Sequence, residues 1–439
     1  MSAEVSITNG SSARLEPHPL RAAVLGEVHA RPFTPLVTPG RVLHFAFQTS
    51  ADQAKADHAA MQSFCETRGL TAPKPHEKHH RVCIGTTMLR WEQHAEFTTY
   101  TWELPADTDA APFHPPASSL ASSMALLPQP GPLLAAIDLH LVAEAKERVA
   151  PERVLDRASL AAAENSDGTA IYATDFKLDP AGFVRILVLD RGLGAERAGA
   201  LVQRLLELET YRTFALLGLP EAQKLGPSIS RIEKRLAEVT EQMQQTLALA
   251  DNRHLLDELT ALAAELEAGA TGSLYRFGAT RAYYEIAKLR LETIGERKVG
   301  GLPTWSAFLA RRMAPAMRTC VTTEERQANL SRKLARAANL LRTRVDVALE
   351  QQNQDLLHTM NTRTRMQLRL QATVEGLSVA AITYYVVGLF GYLVKGAHDS
   401  GLLALEPSYV TAAFVPFALA VIWFIVRRIR NRHIAGEID

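Results

Sequence analysis

Cysteine is scarce: Cys65, Cys83 and Cys320 stand far apart in 439 residues and form no Cys-x-x-Cys pair. That spacing excludes a disulfide framework and a thiolate zinc site, and it fits a reducing compartment. Surplus charge is missing too, with 48 Lys and Arg against 47 Asp and Glu. Without a basic field, nucleic acid is not an expected partner. No glycine-rich phosphate loop, nucleophile elbow or His-Glu-x-x-His helix occurs, and Gly192-Leu193-Gly194 is too short for a dinucleotide fingerprint. The chain is therefore not expected to be an enzyme. Residues 1–19 contain Ser, Gly and Pro but no apolar run, so they read as a disordered arm rather than a secretory signal.

What the chain does have is apolar residues, 47% of the total, enough to bury sizeable cores in roughly three structural units. The most apolar runs lie near the C-terminus, at 377–394 and 410–426, and neither contains a charge. Each is close to the length of about 20 residues that a helix needs to cross a bilayer. Arg363, Arg365 and Arg369 precede the first run, and Arg427, Arg428, Arg430 and Arg432 follow the second. Between them, Lys395 is the one strong cation. The positive-inside rule then places both termini in the cytoplasm and residues 395–409 in a short external loop, in a multi-pass protein of a bacterial inner membrane. The lipid bilayer is one expected partner.

Residues 20–224 mix strand and helix signals and read as a cytoplasmic α+β domain with a mostly antiparallel sheet. Arg41 to Ser50 reads as a strand, Asp52 to Arg68 as a helix capped at Ser50 or Asp52, and Trp91 to Trp102 as a strand. Ala170 to Phe176 with Phe183 to Leu189 suggests a hairpin, while Leu133 to Ala145 and Ala195 to Leu217 show helical spacing. Residues 105–132, rich in Pro, Ala and Ser, read as a loop. In the helical region 225–321, Ile229, Ile232, Leu236, Val239, Met243 and Leu247 form a coiled-coil-like seam. It resumes at Leu255 after a turn at Asp251-Asn252, a third helix covers Tyr275 to Glu296, and Pro315 breaks the chain again. A stalk helix over 322–376 continues into the first transmembrane helix, 377–394; the loop 395–409, the second transmembrane helix 410–426 and a basic tail, 427–439, complete the chain.

Three constellations could carry chemistry. Glu27, His29 and Arg31 alternate, so an extended chain puts them on one side, either as an anion or ligand site or as a charged turn pinning the arm. Glu92, His94 and Glu96 share one face if Trp91 to Trp102 is a single strand, either as ligands for a divalent cation or as a solvated face; His76, His79 and His80 lie just before. On the long helix, Gln367, Gln371, Ser378, Tyr385 and Gly388 form a stripe at steps of three and four that runs on into the bilayer, with Glu375, Gly391 and Tyr392 beside it. Polar groups at membrane depth must face protein or water. Copies gathered around an axis could therefore line an aqueous path, or pack as a seam.

Glu27-Val28-His29-Ala30-Arg31-Pro32, Glu96-Phe97-Thr98-Thr99-Tyr100, Glu209-Thr210-Tyr211-Arg212 with Leu219-Pro220-Glu221-Ala222, and Val374-Glu375-Gly376-Leu377-Ser378-Val379 resemble a bacterial membrane-anchored group, the domain of unknown function 3422. The order of parts is also similar to the CorA magnesium-channel superfamily: a cytoplasmic α/β domain, a stalk helix running into the first span, a short loop, a second span and a basic tail. Gly388-Leu389-Phe390-Gly391-Tyr392-Leu393 stands where that superfamily has its Gly-Met-Asn signature, with Met and Asn replaced. The resemblance implies a homo-oligomer, a ring of about five copies, that conducts or senses a cation such as magnesium. No other cofactor is implied. The alternative expectation is a membrane-anchored scaffold whose coiled helices bind another protein.

Overall fold

The computed structural model of the chain describes residues 17–21, 24–25, 33–106, 111–144, 150–246, 248–402 and 405–435, with side chains as far as Arg428. Two compact units are distinguished, Met1–Gln242 with Glu258–Ala337, and Met243–Asp257 with Ala338–Asp439.

The first unit is built on a mixed sheet. Strands β1 (Gly40–Gln48), β2 (His79–Ile84), β3 (Thr87–Gln93), β4 (Phe97–Pro105), β5 (Leu133–Ala143), β6 (Ala161–Glu164), β7 (Ala170–Leu178), β8 (Val184–Asp190) and β9 (Arg297–Lys298) lie in the order β2-β3-β4-β1-β5-β8-β7-β6-β9. Among the described residues every ladder is antiparallel except β5–β8, where Ile137 stands opposite Val184. Helix α1 (Ala51–Thr67) begins with a capping box: the Ser50 hydroxyl accepts from the Gln53 amide, and the Gln53 side chain accepts from the Ser50 amide. Short helices α2 (Ala117–Leu120) and α3 (Pro151–Val154) interrupt the connections either side of β5.

Alternation along β1 decides which layer each residue joins. Leu43, Phe45 and Phe47 pack with Met61, Phe64 and Cys65 of α1. Val42 turns the other way, to a layer where Ile137, Tyr172 and Ile186 meet Leu201 and Leu205 of α4 (Ala195–Leu216) and Trp305 of α7 (Trp305–Arg312). Burying each such side chain contributes about 1.5–3 kcal/mol.

Helix α5 (Gly218–Gln245) and helix α6 (Leu249–Ile294) pair through Arg235 with Glu258 and Arg231 with Glu265. Helix α8 (Ala314–Asp399) follows α7, and α9 (Pro407–Ala435) closes the chain. In the second unit the Phe390 and Phe414 rings stack 3.9 Å apart, and Thr383, Val394 and Ala418 are buried between α8 and α9. Both helices are long and apolar enough to cross a membrane.

Several expectations change. Of the stretch Leu133 to Ala145 expected as helix, Leu133–Ala143 is strand, because β5 is central and buried on both faces, which removes the alternation that marks a strand. The turn expected at Asp251-Asn252 lies inside α6, where the Asn252 amide bonds to the Ala248 carbonyl, and the third helix is the continuation of α6. Pro315 opens α8 instead of breaking the chain; at a first turn its missing N–H has no partner to lose. The loop over 105–132 contains α2 and a 3-10 turn at Ala121–Leu126.

Candidate functional site

On α8 each residue turns about 100°. Thr383, Phe390 and Val394 therefore share one face, the one that carries α9. Tyr385, Gly388 and Tyr392 fall on roughly the opposite side, with Gln367, Gln371 and Ser378 in line with them. Tyr385 is 70% and Tyr392 79% exposed, and a Cβ on Gly388 would meet nothing within 4 Å. The structure thus separates the polar stripe from the hairpin contact. Gly391 leaves the stripe: its absent side chain faces Thr411 of α9, whose Cγ2 would lie 3.5 Å from a Cβ there. Glu375 is half-buried at the flank of the stripe.

The acid–imidazole–acid face does not form. The backbone turns tightly between β3 and β4, the His94 amide donating to the Phe97 carbonyl at 2.8 Å, so period two is lost within the trio. Glu92 remains on β3, 3.7 Å from Arg90 Nε. His94 stacks on Phe97 at 4.1 Å, and Glu96 accepts from Arg276 Nη1 at 2.9 Å. Among the described residues no group of three His, Cys, Asp or Glu side chains suited to a metal ion gathers. His80 is tied to the Thr71 carbonyl at 2.6 Å. Glu27, His29 and Arg31 lie outside the described residues.

A polar pocket absent from the sequence reading sits between the sheet and α4. His44, Arg90, Glu92, Thr99, Glu207 and Thr210 line about 20 Å³, room for one water. His44 Nδ1 is 2.8 Å from the Thr101 hydroxyl and Nε2 is 3.1 Å from the Thr210 hydroxyl. The Thr210 proton goes to the Leu206 carbonyl, so Nε2 carries the imidazole hydrogen and Nδ1 accepts. Arg90 Nε and Thr99 Oγ1, both buried, have no hydrogen-bond partner among the described residues.

The profile of a family described as protein of unknown function (DUF3422) matches residues 16–433. The chain belongs to the DUF3422 family. No curated protein and no solved structure matches it.

Burial, with the Arg90 charge nearby, pushes His44 of this DUF3422 protein down to about 3, and burial with the Arg41 charge pushes His140 down to about 4. Both imidazoles are neutral near neutrality. Asp57 moves the other way, its carboxyl raised by burial even though Tyr100 and Trp91 donate to it, Trp91 Nε1 at 2.7 Å. Such groups satisfy one another inside the sheet, as Arg41 and Asp138 do at 2.8 and 2.7 Å. Thr99 and Thr210 fall in two of the short segments that carry the DUF3422 resemblance, but His44 and Arg90 do not and no spacing joins the four, so the sequence signal for the pocket itself is only a histidine at an inward position of an apolar strand.

Proposed function

We propose that this DUF3422 protein is a homo-oligomeric inner-membrane protein, with both termini in the cytoplasm, whose first span lines an axial path for a cation. One observation carries the reading: the stripe Gln367, Gln371, Ser378, Tyr385 and Gly388 lies on the side of α8 away from α9. Those polar groups and the phenol of Tyr385 gain nothing from hydrocarbon, and symmetry brings their copies together around one axis. Residues 351–370 of α8 are exposed throughout, including Leu356, Leu357, Met360 and Met366, a quantity of apolar surface that argues for covering by further copies. Glu375 adds negative charge at the inner end, as cation pathways require. The arginines before the first span and after the second support the orientation. The likeness in the order of parts to the CorA superfamily, with a ring of about five copies and a divalent cation such as magnesium, extends this reading.

A non-transporting scaffold is the second reading, and Tyr392 with Leu393 favours it. At 79% and 72% exposed, they put bulky groups where a hydrated cation would leave the path. Cation uptake by proteoliposomes separates the two. Uptake in the wild type, reduced by Gly388→Leu and by Glu375→Gln more than by Glu406→Gln, is the result expected of a pathway. Correctly inserted protein that passes no monovalent or divalent cation would leave the scaffold.

A further inference from the structure

Another cavity of the first unit lies away from both features above. A cleft of about 570 Å³ opens between α6, the end of α7 and the first turns of α8. That size is within the range of small-molecule sites, which run from about 300 to 1,000 Å³. Its walls are apolar and aromatic, drawn chiefly from Phe277, Tyr284, Ala310, Met317 and Val321, with the buried thiol of Cys320 among them.

Charge at the rim is unequal. Arg281, Arg318 and Glu324 line the cleft, and Arg281 is paired with Glu324. Arg318, exposed on α8, has no ion-pair partner among the described residues. Lys288, 5.8 Å from the Tyr284 ring, adds a second positive charge nearby. Apolar walls below and excess positive charge at the mouth complement a molecule with an apolar body and one anionic end.

We propose that this cleft binds an amphipathic carboxylate of the medium-chain fatty-acid class, its hydrocarbon against Phe277, Tyr284 and Met317 and its carboxylate at Arg318. The ligand touches the opening turns of α8, the helix whose later residues form the first apolar span, so occupancy bears on the element that the proposed path depends on. The binding claim itself does not require transport and stands or falls separately.

Photolabelling tests it on the full-length protein in nanodiscs, with decanoate carrying a terminal diazirine as the probe. Labelled peptides are mapped by mass spectrometry, and labelling of the two apolar spans by probe dissolved in lipid serves as the internal reference for dose and for intact protein. Saturable labelling of peptides covering 277–284 and 314–324, competed by plain decanoate, is expected. Ala310→Trp, which fills the cleft from an exposed position, should abolish it, and Arg318→Glu should weaken it roughly two- to fivefold. Leu274→Trp, exposed on α6 and outside the cleft, should leave it unchanged. Labelling confined to the spans, or cleft labelling indifferent to Ala310→Trp and Arg318→Glu, would overturn the proposal.

Discussion

Arg276 of α6 grips Glu96 in the β3–β4 turn with both terminal nitrogens, Nη1 to Oε1 at 2.9 Å and Nη2 to Oε2. The two side chains are 15% and 6% exposed, so the pair is desolvated and fixes the turn to a helix far along the chain. Removing one partner strands a buried charge, at a cost of about 3–5 kcal/mol. Glu96→Ala should therefore lower the thermal midpoint of the purified protein by several degrees, and adding Arg276→Met should restore part of the loss. Additive losses in the double variant would show that the two side chains act independently.

Stability should fall in acid. His44 and His140 have folded values of about 3 and about 4, against 6.5 for an unperturbed histidine. Between those values and 6.5 the unfolded chain binds more protons than the fold, so stability drops as pH falls through that window, by up to about 1.4 kcal/mol per pH unit for each histidine. Asp57 works against this trend: its raised carboxyl makes the fold the better proton binder above 3.8. Denaturant titrations from pH 7 to pH 4 should give a slope that shrinks in His44→Gln and again in His44→Gln with His140→Gln. An unchanged slope would place the acid sensitivity elsewhere.

Gly388 and Gly391 should behave differently although they are three residues apart. Gly391 lies against Thr411, at ordinary contact distance for a Cβ, so Ala is tolerated there but Leu must push the helices apart. Among the described residues no atom lies within 4 Å of where a Cβ on Gly388 would stand. A disulfide between Phe390→Cys and Phe414→Cys, whose rings stack at 3.9 Å, should form readily in the Gly388→Leu background and poorly in Gly391→Leu. Self-association measured by native mass spectrometry should show the reverse dependence, with Gly388→Leu the damaging change.

The orientation is open to a direct chemical check. A membrane-impermeant maleimide should reach Ser400→Cys in intact cells and should reach the exposed thiol of Cys83 only after the cells are broken. Labelling of Cys83 from outside would reverse the topology.

Elements whose pattern is local were legible from the sequence. Helix α1 carries its own start chemistry at Ser50 and Gln53, and β7 with β8 shows the turn residues and the apolar strands of a hairpin. Two kinds of feature were not. Strand β5 is covered on both faces, so Leu134, Ala135, Ala136 and Ile137 run together as they do in a helix. The grouping of Glu92, His94 and Glu96 assumed one strand, and the turn that interrupts it is specified by pairing β3 with β4, a tertiary decision. The pocket at His44 is harder still, because its residues meet only after α4 docks on the sheet. The polar stripe of α8 was visible because helical periodicity alone generates it.

The parallel β5–β8 ladder divides the sheet into two meanders of different folding difficulty. On its far side β6, β7 and β8 follow one another with short connections, so their contacts close small loops and can form early. On the near side β2, β3 and β4 do the same, but β1 must wait for β4 and β5 to arrive from far along the chain. The ladder between Ile137–Ala143 and Val184–Asp190 is the seam that joins the two. A polypeptide divided between β5 and β6 would carry each meander whole, and the two pieces would have to find one another across that seam alone among the strands described.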